Sequence, residues 1–375
     1  MEKSQLLELL STAAPRAGKL VPSTSDVSFE EIGDGNLNFV YRLSTEATSV
    51  IVKHAPTYIR CLGPSYSLTQ DRLEFEYRCL ERFHAIQPGS CPQPYYYDKI
   101  KSSVVMEDLK GHRIMRYDLM ESKVNLEAVR CVAKFAAHIH CATLLADLSE
   151  SDQAMLLKDF ENPVMVQLTK DYIFTKPYIA EDETNLCNPA HKDLVDAIRQ
   201  NETMQSAIKE LRRKFAEEKT CLCHGDLHSG SIMVKEASAK VIDCEFAFVG
   251  PPAFDLGLLL AHYVISYLAH CTKEHLNSEY LQLMLQAVEL TWDEYTSNAS
   301  TKPEEIPRFM EETLGFLACE ILRRVIGAAP VADVKGNTSA ENRILLIGTA
   351  ILDGSQKKIH TVAKLIAECK RVAEK

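Results

Sequence analysis

The stretch His224-Gly-Asp-Leu-His-Ser-Gly-Ser231-Ile-Met-Val, followed by Val241-Ile-Asp243-Cys-Glu245, decides the reading of this 375-residue chain. It sets one acid, Asp226, in a polar loop and then runs into apolar, strand-like residues. Two more carboxylates, Asp243 and Glu245, end a second short apolar run. An acid in one loop and a separate acid pair a hairpin's length away suit phosphoryl transfer. One carboxylate orients and deprotonates a hydroxyl while the others hold magnesium on nucleotide phosphates. His224 reads as a hydrogen-bonding brace of the loop rather than a base, and His228 and Ser229 as its caps. In an extended segment residues two apart face the same side, so Asp243 and Glu245 can converge on one magnesium cluster. A lone acid at that point would read as a solvated strand end.

Outward from this stretch, the earlier chain carries the rest of a kinase. Val27–Ile32, Phe39–Leu43 and Ser49–His54 are rich in β-branched and aromatic residues and predict strands, as do Tyr95–Lys99 and Ser103–Met106. Ser4–Ala14 predicts a short helix ended by Pro15, and Gln70–Ala85 a helix with Leu73, Tyr77, Leu80 and Phe83 on one stripe. Between two strands lies Gly33-Asp34-Gly35-Asn36-Leu-Asn38. Its glycines let backbone amides approach phosphates, although Asn38 stands where a third glycine often occurs. Lys53 ends the third strand about twenty residues after that loop, the spacing of the phosphate-gripping lysine of kinases. Otherwise it would snorkel to solvent. Glu76 can reach back to hold Lys53, with Glu74 the alternative; the buried stripe turns Glu74 toward solvent. Ser231 occupies the place where a kinase loop carries a metal-binding asparagine, and Glu245 compensates for that weaker ligand.

From residue 109 the pattern changes to long helices, expected over Leu126–Leu145, Lys192–Glu218, Ala253–Ala269, Ser278–Ser297, Pro303–Gly327 and Glu341–Glu374. The fold class is therefore α+β, a bilobal protein kinase-like fold. Residues 1–108 form a small β-rich lobe, 109–375 a larger, mostly helical one, and Glu107-Asp-Leu-Lys-Gly111 the hinge. Asn162–Asn188 is the least patterned stretch and is expected as a surface excursion. In the helix spanning Gly315–Gly327, Arg323 and Arg324 are set among apolar residues and must reach water, an acid or a ligand. Glu320, three and four positions earlier, can pair with either, so plain helix salt bridging stands beside a binding role.

Composition narrows the classes. Apolar residues make up 46% and charged ones 25%, the balance of a globular protein. The 42 basic against 52 acidic residues leave a charge of −10, which argues against a general nucleic-acid binder. Twelve scattered cysteines without a Cys-x-x-Cys pair read as small buried hydrophobes in a reducing, cytoplasmic compartment. No secretory start is expected at Met1-Glu-Lys-Ser-Gln, and Phe254–Leu268 reads as a buried helix rather than a membrane span, which needs ~20 apolar residues.

The His224-Gly-Asp-Leu-His loop resembles that of the aminoglycoside phosphotransferase-like kinases, a group that includes choline kinases. Within that group the chain resembles the 5-methylthioribose kinase family. The likeness rests on Gly33-Asp-Gly-Asn-Leu-Asn, His224-Gly-Asp-Leu-His-Ser-Gly-Ser, Asp243-Cys-Glu-Phe and Glu320-Ile-Leu-Arg-Arg324. Val52-Lys-His-Ala-Pro-Thr-Tyr-Ile-Arg60 and Leu68-Thr-Gln-Asp-Arg72 add to it. The resemblance implies ATP-dependent phosphorylation of the anomeric hydroxyl of 5-methylthioribose in methionine salvage. It implies Asp226 as catalytic base and Asp243 and Glu245 as Mg2+ ligands. Lys53 and the loop Gly33–Asn38 would grip ATP phosphates, and backbone at Met106, Glu107 and Asp108 would hold adenine. Arg323 and Arg324 would line the sugar site of a homodimeric enzyme. Related kinases of cationic acceptors, choline or aminoglycosides, would need an acidic acceptor pocket, which these arginines oppose. A non-catalytic nucleotide-binding scaffold would lack at least one of Lys53, Asp226, Asp243 and Glu245, yet all are present.

Overall fold

The computed structural model describes residues 1–17, 27–32, 37–271, 278–299, 302–354 and 359–374. Gly33, Asp34, Gly35 and Asn36, expected to form the phosphate loop, lie outside the described residues. The first lobe runs α1 (Lys3–Ala17), β1 (Ser28–Glu31), β2 (Phe39–Ser44), β3 (Ser49–His54), α2 (Arg72–Ile86), β4 (Pro94–Asp98) and β5 (Ser103–Glu107). The strands form one antiparallel sheet in the order β1-β2-β3-β5-β4. The period of two in β5 divides the burial between the two faces of the sheet. Val105 joins Leu6, Leu9, Leu10 and Ala13 of α1, while Val104 and Met106 join Leu73, Leu80 and Phe83 of α2. Register sets Lys53 opposite Val40 and Val104, in the middle of the sheet.

The second lobe opens with β6 (Arg113–Ile114), α3 (Met115–Met120), α4 (Leu126–Ala142), α5 (Glu150–Asp159), α6 (Pro163–Phe174), α7 (Lys192–Gln200) and α8 (Glu202–Glu217). Then come β7 (Cys221–Cys223), β8 (Ile232–Lys235), β9 (Ser238–Val241), β10 (Phe248–Gly250), and helices α9 (Pro252–His270), α10 (Glu279–Asn298), α11 (Ile306–Ile326), α12 (Thr338–Leu352) and α13 (Val362–Ala373). β8 and β9 form the hairpin that separates the two acidic segments, with Ile232 opposite Val241. α9 is the core helix, and it crosses α11 at Gly257, where a Cβ would come 2.8 Å from the Thr313 carbonyl oxygen. It is the one helix among the described residues long and apolar enough to cross a membrane, yet 89% of its apolar window is buried inside the lobe.

Several expected helices differ in the structure, each for a local reason. Lys192–Glu218 is two helices, because the Asn201 side chain accepts from Met204 N–H and caps a new start. Glu341–Glu374 divides after α12, and α13 begins at Thr361, whose hydroxyl caps Lys364 N–H. α1 passes through Pro15 and ends at Ala17. The first half of Asn162–Asn188 is not a surface excursion, whereas Ile179 and Leu186 in its second half are exposed. Its Pro163 starts α6 at the position where a missing N–H costs nothing, and Met165, Thr169 and Ile173 bury one face.

Candidate active site

The catalytic loop hangs between β7 and β8 and is braced from beneath. Asp255, in the first turn of α9, accepts from the amides of His224 (2.6 Å) and Gly225 (2.9 Å). His140 of α4 holds the same carboxylate at 3.2 Å and is itself 2.9 Å from the Tyr295 hydroxyl. Gly225 has φ +83°, and a Cβ there would lie 2.2 Å from the Phe246 carbonyl oxygen, so only glycine fits. His224 donates Nε2–H to the Ile242 carbonyl (2.9 Å) and accepts Asp226 N–H at Nδ1 (3.2 Å). It thus joins the loop to the segment carrying Asp243 and has neither nitrogen left for a base.

Asp226 stands beside His228, whose Nε2 is 3.4 Å from Oδ2. Burial pushes the Asp226 carboxyl up, but His228, Arg323 and Arg324 outweigh it and hold the group well below the usual carboxylate range. It is therefore ionised at neutral pH. Burial, together with Arg116 and Arg324, keeps His228 below its ordinary value despite Asp226, so it is an uncharged donor there. Its Nδ1 accepts Gly230 N–H at 3.0 Å. Ser231 is fully buried, with its hydroxyl 3.3 Å from His228 Nδ1.

On the opposite wall, Lys53 pairs with Glu76 at 2.7 Å and with Asp243, and Glu245 lies 3.9 Å away. Burial works against the ammonium, but Asp243, Glu76 and Glu245 together hold its pKa well above the ordinary value. Glu74 instead faces outward to Arg78 and to Lys99 at 3.3 Å. Asp243 adopts φ +68°, a left-handed conformation that costs a non-glycine residue ~1–2 kcal/mol and turns its carboxylate into the cleft. Glu245 is buried, with Asn38 Nδ2 donating to Oε1 (2.8 Å). The Arg72 guanidinium is 3.2 Å from Oε2, but its Nε–H points to Asn38 Oδ1 (3.0 Å), which leaves Oε2 without a hydrogen bond. Cys244 turns its thiol to the Glu76 carbonyl. Burial pushes the Glu245 carboxyl up, against Lys53, and a buried acid with an open lone pair beside a second acid fits a divalent cation, which would hold it ionised.

Arg323 and Arg324 are buried at the C-terminal end of α11, and Glu320 takes both. Arg323 reaches it through Nε (2.7 Å) and Nη2 (3.1 Å), and Arg324 through Nε (2.7 Å). Burial raises the Glu320 carboxyl, yet the two arginines pull it well below its ordinary value. Helix salt bridging to Glu320 is thus present, and both arginines also act on the Asp226 carboxyl. His262 connects Glu320 (3.4 Å) with the Ser229 hydroxyl (3.0 Å).

Of the hinge residues, Met106 is buried in β5, Glu107 pairs with Lys240 (2.9 Å), and Asp108 takes the Arg42 fork at 2.9 and 3.2 Å. The Asn38 side chain is committed to Glu245 and Arg72, so any phosphate contact there falls to its backbone. Sequence reasoning missed Arg72, Arg116, Asp255 and Asn162, whose Nδ2 bonds the Glu245 (2.9 Å) and Ala247 (3.1 Å) carbonyls. One signal was present: Asp255 is an acid in the first turn of an otherwise apolar helix.

Fold and site define a bilobal, kinase-type phosphotransferase that acts on a small molecule. The chain is 33% identical to the methylthioribose kinase of Geobacillus kaustophilus, over 84% of this chain and 82% of that one. It is 27% identical to methylthioribose kinase 1 of Oryza sativa subsp. japonica, over 98% and 94%. Among solved structures, choline kinase from Cryptosporidium parvum shares the fold, with a TM-score of 0.53 at 11% identity over 100% of this chain and 95% of that one. The chain belongs to the phosphotransferase enzyme family, whose model matches residues 28–284, and within it to the methylthioribose kinases.

Proposed function

We propose that this chain transfers the γ-phosphoryl group of ATP to the anomeric (C1) hydroxyl of 5-methylthioribose, giving 5-methylthioribose 1-phosphate and ADP in methionine salvage. The observation that carries the reading is Asp226, held ionised beside arginines on a loop that His224 ties to the segment carrying Asp243, which pairs with Lys53. Lys53, fixed by Glu76, neutralises the α/β phosphates, with the backbone of Gly33–Asn38 over them and that of Met106–Asp108 at the adenine. Asp243 and Glu245 would hold Mg2+, which supplies charge neutralisation of the phosphates when bound. Asp226 orients the sugar hydroxyl and takes its proton as the oxygen–phosphorus bond forms and the bond to ADP breaks. A hemiacetal hydroxyl is more acidic than an ordinary alcohol, so an unperturbed or even weakened base suffices, and alignment supplies most of the effect. Arg323 and Arg324 orient the sugar oxygens. The twelve free thiols support a reducing, cytoplasmic setting, and a homodimer follows from the family resemblance.

The experiment is an ADP-release assay on the purified enzyme against methylthioribose, choline and kanamycin, with Mg2+ and with a chelator. Magnesium-dependent turnover with methylthioribose is the expected result. Turnover only with a cationic acceptor sinks the assignment, and undiminished turnover in chelator removes the metal from it.

A further inference from the structure

The three arginines around the catalytic loop are not equally occupied. Arg323 spends Nε and Nη2 on Glu320, and Arg324 spends Nε on Glu320 and Nη1 on the Ala329 carbonyl (3.2 Å). Arg116, from the first turn of α3, has no such partner. Its Nε makes no hydrogen bond, and its nearest carboxylate, Asp333, is 3.7 Å away with Oδ2 likewise unbonded. Its Nη2 sits 3.5 Å from His228 Nδ1, a lone pair that already accepts Gly230 N–H. Yet the side chain is only 20% exposed. A guanidinium carries five N–H donors; here Nε is buried unfilled, Nη2 has only the long contact to His228, and burying a donor unfilled beside other cations is costly. Burial and the neighbouring Arg324 both disfavour the charge, while Asp333 and Asp226 favour it.

The catalytic loop makes room for this side chain. Gly230 has no positive φ to require glycine, but a Cβ there would lie 2.7 Å from Arg116 Nη2. The loop therefore lacks a side chain at the point where the guanidinium approaches it, one residue short of Ser231 and next to the His228–Asp226 pair. Open donors, enforced proximity and a position beside the catalytic base point to ligand oxygens.

We propose that Arg116 is a further acceptor-binding residue, donating from its guanidinium to ring hydroxyls of the bound sugar and selecting an oxygen-rich, uncharged acceptor over a cationic one. This rests on the reading that methylthioribose is the acceptor. Arg116→Met raises the KM for methylthioribose roughly 10- to 100-fold, the range for losing charge-assisted hydrogen bonds, and leaves the KM for ATP within about twofold. Arg116→Lys, which keeps the charge but loses the fork, recovers part of the loss. It also carries the test alone, with a smaller rise, should the Met variant not fold. Steady-state kinetics with each substrate varied, alongside the thermal midpoint of each variant, make the measurement. An unchanged acceptor KM in a folded variant overturns the proposal, as does an equal rise in both KM values. A fall in kcat with both KM values unchanged also overturns it, because that would make Arg116 a positioning residue for His228. Wild-type enzyme that does not turn over methylthioribose overturns the acceptor reading itself and this inference with it.

Discussion

The two walls of the cleft use the same kinds of side chain in different proportions. On the wall proposed for the nucleotide, Glu76, Asp243 and Glu245 crowd Lys53 and Arg72, three carboxyl groups against two basic ones. Glu76 shows it: its carboxyl is raised to about 7 by burial first and then by Asp243 and Glu245, partly offset by Lys53. On the acceptor wall, Arg116, Arg323 and Arg324 meet Asp226, Glu320 and Asp333, three against three. A surplus of carboxyl groups, two of them buried, becomes more favourable to ionise once a cation joins it. A balanced wall has no charge to neutralise and instead offers directional donors. The first arrangement suits a metal–polyphosphate and the second a neutral sugar.

The sharpest way to break this contrast is to remove the base. Asp226→Asn should lower kcat about 10^3- to 10^4-fold with the KM for ATP nearly unchanged, in single-turnover and steady-state assays. A loss confined to ATP binding would place Asp226 on the wrong wall. Next in size is Glu320→Gln, which leaves two buried arginines without their shared carboxylate. A destabilisation of about 3–5 kcal/mol is expected in urea unfolding, with nucleotide affinity of the remaining folded protein unaltered. A variant as stable as wild type would show that Glu320 is not the counter-charge of the pair. The smallest effect is on pH. Because its arginines hold Asp226 below the usual carboxylate range, it stays ionised from pH 8 down to 5, and kcat with saturating substrates should show no acid limb from this group in that interval. Removing one cation, Arg323→Met, should raise the Asp226 pKa, read from the carboxylate 13C shift in an acid titration of the variant against wild type. An unmoved titration would mean that the arginine field does not reach the carboxylate.

The acceptor and nucleotide walls were also unequally legible in the sequence. Asp226, Asp243 and Glu245 lie within twenty residues of each other, and their spacing on a loop and a hairpin is a local property. Strand β3 was legible because a β-branched run, Val50-Ile51-Val52, fills its centre. Arg72 was not, since its meaning comes from Asn38 and from Glu245, 173 positions away, which meet it only in the folded chain. Arg116 sits on a six-residue helix that gives no periodic signal of its own. α6 was misjudged because its apolar residues are not confined to one stripe: Val164 is exposed beside the buried Met165, and the polar Thr169 lies on the buried face. The breaks at Asn201 and near Gly354 were overlooked although each carries a local signal. Capping side chains mark the new starts, and at the second break Gly354, with φ +66°, adds a stop of its own.

The catalytic loop's attachment to Asp255 has a consequence for how the enzyme fails. Asp255 grows from the most deeply buried helix, so the two amides it holds cannot open without disturbing the core of the large lobe. The amide protons of His224 and Gly225 should therefore exchange with solvent deuterium as slowly as those of α9, only when the lobe unfolds as a whole. Heat should then abolish turnover and melt the lobe in a single step, with no range of temperature in which a folded but silent enzyme accumulates.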